Sequence, residues 1–138
     1  LMEGRVTVGN GNGQLETNGD GTLSDGSSVR NVTLTIEASV NVYGKTGTFA
    51  NLVITRGSKL MAEGTKSAPI VFSSDDEGLD GSGEWGGLIM HGFAPHNECA
   101  VGGSYCDIDS EGESGFAGGY DADDSSGVLR YVVVAEGG

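Results

Sequence analysis

The chain has 138 residues, of which 36% are apolar and 26 are glycine. Glycine at that density disfavours long helices and predicts an all-β domain with turns at most Gly, Asn, Asp and Ser clusters. The 20 acidic residues outnumber the 7 basic ones and give a net charge of −13, which would repel nucleic acids and anionic membranes. No apolar run has the length of a membrane span.

The first 30 residues differ from the rest. Glu3 to Val8 can form one strand, and a polar stretch rich in Gly, Asp and Ser follows. End units of repeat proteins are atypical because one of their faces lacks a neighbour. We therefore predict an irregular N-terminal cap over residues 1–30 and a body of stacked strands over residues 31–138.

An apolar i, i+2 pair recurs four times at 18-residue intervals. It begins at Leu34, Leu52, Ile70 and Leu88. Positions i and i+2 share one face of a strand, so these short strands would face one core, and strands this short need stacked neighbours. A left-handed β-helix needs apolar residues every six positions, and Thr46 already breaks that rule. A right-handed parallel β-helix with turns of unequal length fits the sequence better. In that fold the 18-residue steps can join different faces of successive coils.

Residues 91–126 interrupt this rhythm and predict a loop insertion, which in solenoids lies on one face and is often the binding face. Cys99 and Cys106 lie within it. We expect them to form a disulfide, which would clip the insertion and indicate an oxidising, extracellular location. A metal pair is the alternative, but the spacing does not suit zinc, and His91 and His96 fit no standard ligand pattern.

Two acidic loops are candidates for calcium. In residues 16–24 every second residue, from Glu16 to Ser24, has a side-chain oxygen donor, and Gly21 stands at the sixth position. The first nine positions of an EF-hand calcium loop have the same pattern. An ordinary Asn-Gly or Asp-Gly turn is the competing interpretation. The second loop has three close carboxylates. The calcium candidates are Glu16, Asn18, Asp20, Thr22, Ser24, Asp121, Asp123 and Asp124.

Several segments resemble a known family in their order of residues. They are residues 34–37, 52–65, 68–72, 84–89 (EWGGLI) and 126–132. The resemblance is to bacterial surface and secreted proteins with a right-handed parallel β-helix, within the pectate-lyase-like superfamily. It implies a scaffold at the cell surface and no particular chemistry. Ala38-Ser39 departs from the Pro-Gly usual in that family.

We expect a non-enzymatic extracellular structural or adhesion module. The strongly apolar segment Val128 to Val134 lies four residues before the last residue, which predicts either a fragment of a longer chain or end-to-end self-assembly. A polysaccharide lyase or hydrolase is the first alternative, with Arg56 and Lys59 as the few candidate bases. A calcium-dependent carbohydrate-binding module is the second alternative.

Overall fold

The computed structural model describes residues 1–16 and 20–138. Over these residues the chain is all-β, as predicted, with a three-residue 3₁₀ turn at Glu111–Glu113. The strands are β1 (Val6–Val8), β2 (Thr33–Ile36), β3 (Asn41–Gly44), β4 (Leu52–Ile54), β5 (Lys59–Glu63), β6 (Ile70–Ser74), β7 (Leu88–Met90), β8 (Ile108–Ser110), β9 (Gly115–Ala117), β10 (Gly127–Arg130) and β11 (Val132–Val134). In this part of the chain no helix is long and apolar enough to cross a membrane.

Three parallel sheets make up the body of the described structure. The first sheet has the order β1-β4-β7, the second β2-β5-β10 and the third β3-β6-β11. Each sheet therefore takes one strand from each of three successive parts of the chain, always in chain order. Strands paired in this way are parallel and need long connections, because a tight hairpin can join only antiparallel neighbours.

One hydrophobic core collects side chains from all three sheets. Its buried members are Ile36, Leu52, Ile54, Leu60, Ala62, Ile70, Phe72 and Trp85. Trp85 is almost fully buried and donates a hydrogen bond from Nε1 to the carbonyl oxygen of Ala135, at 2.8 Å. Gly44 lies against this indole, where a β-carbon would come within 2.7 Å of the ring. The close approach explains why the end of β3 carries a glycine.

The 18-residue spacing joins different sheets. Leu34 lies in the second sheet, Leu52 in the first and Ile70 in the third. The paired residues are separated by unequal intervals, since Leu34 aligns with Leu60 and Leu52 with Leu88. The prediction that the apolar pairs share one core is confirmed.

The first 30 residues contribute a strand to the sheets. Residues Val6–Val8 align with Leu52–Ile54 of β4 in the first sheet. After β1 the chain forms turns and isolated bridges, including an antiparallel bridge between Leu15 and Leu23. The boundary at residue 30 stays a prediction.

The segment between β7 and β10 contains the predicted disulfide and an unpredicted hairpin. Cys99 and Cys106 are bonded, with their Cα atoms 5.5 Å apart. Strands β8 and β9 pair antiparallel and are joined through the 3₁₀ turn. The segment thus has its own secondary structure and is more than a polar loop.

Ser39 occupies a backbone conformation that favours glycine. Its φ angle is +65°, in the left-handed region that costs most residues free energy. The departure from Pro-Gly at Ala38-Ser39 therefore falls at a turn where glycine would be relaxed.

Candidate functional site

A buried arginine fastens the insertion to the sheets. Arg56 lies two residues beyond the end of β4, and its side chain is 0% exposed. Its guanidinium donates to a carboxylate and to carbonyl oxygens on both sides of it. The acceptors are Gly11 O (2.8 Å), Gly13 O, Asp107 Oδ1 (2.9 Å), Cys106 O (3.1 Å) and Gly118 O (3.2 Å). We call this set the Arg56 clasp.

The clasp partly compensates its own buried charge. Burial lowers the pKa of Arg56 overall, and the hydrogen bond and the negative charge of Asp107 offset part of that effect. Asp107 also accepts a hydrogen bond from the backbone N–H of Leu15, at 3.0 Å. The Phe93 ring lies 5.6 Å from Arg56 Cζ and adds a cation–π contact. The N-terminal loop and the insertion are thus held by one ion.

A groove of about 700 Å³ lies between the first sheet and the 3₁₀ turn of the insertion. Ile89 lines it from the middle of β7. Because side chains alternate along a strand, Ile89 points away from the core that Leu88 and Met90 contact. The groove therefore runs on the outer face of the first sheet. Phe49, which is 90% exposed, presents its ring at this groove.

Arg5 bridges the two walls of the groove. Its Nε donates to Asn51 Oδ1 at 3.0 Å, Nη1 donates to Glu113 O at 2.6 Å, and Nη2 donates to Gly112 O. These bonds fix the planar guanidinium beside the Asn51 amide. The exposed carboxylates of Glu111 and Glu113 lie on the same turn. The groove thus combines an apolar ring, planar polar groups and acidic side chains.

His91 is buried behind this groove. Its side chain packs against Ser114, a groove residue, with Nε2 3.3 Å from Ser114 Oγ. Because Ser114 Oγ donates to Glu111 O at 2.9 Å, it accepts from an Nε2–H of the neutral imidazole. Within residues 1–16 and 20–138, Nδ1 has no hydrogen-bond partner. Burial lowers the pKa of His91, and the charges of Arg56 and Arg5 lower it further.

Two glutamates converge on one hydroxyl at the end of β6. Ser74 Oγ lies 2.6 Å from Glu84 Oε2 and 2.9 Å from Glu136 Oε2. Burial raises the pKa of Glu136, but hydrogen bonds from Ser74 and from the backbone N–H of Gly81 outweigh it and lower the pKa overall. Sequence reasoning missed this cluster, because Ser74 and Glu136 are 62 residues apart. Only the pairing of β6 with β11 brings them together.

The predicted calcium residues take part in turns. Asp20 Oδ1 accepts from the N–H of Thr22, and Glu16 N–H donates to the carbonyl of Thr22. Ser24 N–H donates to the carbonyl of Gln14. Asn18 lies outside the described residues.

Backbone N–H groups also bind the carboxylates of the second predicted loop. Asp121 Oδ1 accepts from the N–H of Asp123, and Asp124 Oδ2 accepts from the N–H of Phe93 at 2.7 Å. Over the described ranges, no group of three or more His, Cys, Asp or Glu side chains is placed to hold a metal ion. Calcium binding at either loop stays a prediction.

The two candidate bases lie in different environments. Arg56 has its guanidinium enclosed by the clasp, so its N–H groups face protein acceptors and no open groove. Lys59 is exposed at the start of β5, in the second sheet. The structure therefore does not bring them together at one site.

The sequence of the chain matches one protein-family model. The model is that of the pectate-lyase-like β-helix domain, and the match covers residues 12–138. No curated protein and no solved structure matches the chain. The match covers β2 to β11 and the insertion, whereas β1 and Arg5 precede it.

Removing the Arg56 clasp is expected to destabilise the fold strongly. In Arg56→Met the carboxylate of Asp107 and the carbonyls that Arg56 binds lose their donor in a buried setting. We expect the free energy of unfolding in urea to fall by about 3–5 kcal/mol. Arg56→Lys keeps the charge without the planar fork and should give a smaller loss.

The control is Arg130→Met, because Arg130 forms an ion pair with Glu63 at 3.3 Å in which both side chains are exposed. That loss should stay below about 1 kcal/mol. Equal losses in Arg56→Met and Arg130→Met would contradict the role of the clasp.

The buried His91 makes stability depend on pH. Its pKa is lowered in the folded state, so the unfolded chain binds the extra proton first, and the free energy of unfolding should decrease as the pH falls below about 6.5. The slope can reach about 1.4 kcal/mol per pH unit.

Urea unfolding of the wild type and of His91→Gln between about pH 8 and pH 5 measures this slope. His96→Gln, at an exposed position, serves as control and should keep the wild-type slope. If the free energy of unfolding changed with pH by the same amount in the wild type and in His91→Gln, the role of His91 would be contradicted.

Proposed function

Because the chain belongs to the pectate-lyase-like β-helix domain family, we propose that it is an extracellular, non-enzymatic adhesion module that binds polysaccharide in the groove on the first sheet. The exposed Phe49 ring beside Arg5 and Asn51 carries this proposal. Aromatic rings contact the apolar faces of sugar rings, and guanidinium N–H groups donate to their hydroxyls. The disulfide supports an extracellular location.

The proposal includes the winding of the strands. We take β1–β3, then β4–β6, then β7, β10 and β11, as three successive turns of a right-handed solenoid. The identical order of the three sheets supports this, and parallel strands joined by a crossover are right-handed in nearly all proteins. The outer face of the first sheet then forms a rigid platform for the groove.

The arrangement of acidic groups supports a non-enzymatic role. Glycoside hydrolysis uses two carboxyl groups on opposite sides of the scissile bond. The groove has Glu111 and Glu113 on one short turn of one wall. Glu84 and Glu136 do converge, but both bond to Ser74 and neither lines the groove.

A binding assay tests the proposed function. Affinity gel electrophoresis against β-glucan, xylan, galactomannan and polygalacturonate should show retardation by at least one polymer. Phe49→Ala should weaken that binding about twofold to twelvefold, since an aromatic contact contributes about 0.5–1.5 kcal/mol. The control, Leu79→Ala, removes an exposed apolar side chain outside the groove and should bind as the wild type does. Absence of retardation by every polymer would refute binding, and release of reducing ends or unsaturated sugars would refute the non-enzymatic role.

End-to-end self-assembly is a second candidate function, favoured by the edges of the sheets. In the described structure β1, β2 and β3 lie at one edge of their sheets, and β7, β10 and β11 at the other. Edge strands carry unpaired backbone groups that can pair with another chain. Ala135 N–H donates to Phe72 O, so by alternation the N–H of Val134 faces the open side.

Sedimentation velocity over a wide concentration range tests the assembly. The wild type should form species that lengthen with concentration, and Val134→Pro should shorten them because proline lacks the N–H that faces the open side. A single monomeric species at every concentration would contradict the assembly.

A further inference from the structure

We infer that the groove selects uncharged polysaccharides and rejects polyuronates. This inference rests on the proposed function and adds the class of ligand. Its basis is the charge and hydrogen-bonding state of the residues that line the groove.

Arg5 is the cation among the described groove residues, and much of its hydrogen-bonding capacity is already used. It donates to Asn51 Oδ1, Glu113 O and Gly112 O. A guanidinium has five N–H groups in a fixed fork and binds a carboxylate best with two of them side by side. With Nε and both terminal nitrogens engaged, two of the five N–H groups of Arg5 remain for a ligand.

Negative charge exceeds positive charge at the wall of the groove that the 3₁₀ turn forms. Glu111 and Glu113 are both exposed on the 3₁₀ turn, and the whole chain carries a net charge of −13. A uronate carboxylate in the groove would face two like charges, which repel it. The hydroxyls of a neutral sugar can donate to these carboxylates instead.

The apolar part of the groove completes this chemistry. Phe49 and Ile89 offer a ring and an aliphatic side chain, whereas Asn51 is buried and its Oδ1 already accepts from Arg5. An uncharged sugar has apolar ring faces and hydroxyls that both donate and accept. The groove therefore presents a complement for each part of a neutral sugar, and a surplus of acceptors for its hydroxyls.

The test compares three hexasaccharides by isothermal titration: cellohexaose (uncharged), hexagalacturonate (anionic) and the glucosamine hexamer (cationic). We expect cellohexaose to bind with an affinity that is unchanged between ionic strengths of about 0.01 M and 0.15 M, because no ligand charge is screened. Hexagalacturonate should bind at least about tenfold more weakly than cellohexaose.

The double variant Glu111→Gln/Glu113→Gln identifies the cause of the rejection. It should gain affinity for hexagalacturonate and keep its affinity for cellohexaose within about twofold. The control Glu37→Gln/Glu77→Gln changes the net charge equally at exposed positions outside the groove and should gain none.

The outcomes separate the inference from the proposed function. Hexagalacturonate binding as tightly as cellohexaose, or salt-sensitive binding of the glucosamine hexamer alone, would overturn the inference and leave the binding function standing. A failure of all three hexasaccharides and of all four polymers to bind would overturn both.

Discussion

Strands of three to five residues cannot hide their apolar side chains alone, and every other feature of the fold depends on this constraint. The solution is lateral stacking: Leu52 of β4 aligns with Leu88 of β7, and Leu60 and Phe72 bring the other two sheets to the same core. Parallel neighbours must be reached by long connections. These connections carry the glycine-rich turns, and the longest of them carries the insertion that forms one wall of the groove.

The insertion is held mainly by polar contacts, in contrast to the core. The disulfide closes its first loop, and Arg56 binds Cys106 O, Asp107 and Gly118 O within it. A buried ion is tolerated only when partners satisfy its donors, so the clasp sets the position of the loop sharply. Because the 3₁₀ turn follows the same segment and receives Arg5, the geometry of the groove depends on these polar bonds. Stability and candidate function are therefore coupled through residues far apart in the chain.

The fold could be predicted from the sequence because its apolar residues recur at a fixed interval. The residues of the candidate site follow no such interval, so the sequence did not predict their arrangement. The pairs at Leu34, Leu52, Ile70 and Leu88 all fall in strands and contact one core. The disulfide followed from composition and spacing. By its sequence alone Arg56 is a candidate catalytic base, because nothing in the neighbouring residues predicts its burial among carbonyl groups. The hairpin β8–β9 and the Ser74–Glu84–Glu136 cluster arise from pairing between distant segments, which local patterns do not encode.

The claim that successive parts of the chain stack into three parallel sheets is tested most directly by nuclear Overhauser contacts between backbone protons. The structure predicts parallel-type contacts that join Leu52 to Leu88, Leu60 to Gly127, and Ile70 to Val132. Contacts of antiparallel type between β4 and β5, or between β5 and β6, would contradict the account. So would contacts that pair Leu34 with Leu52 at the 18-residue interval of the sequence.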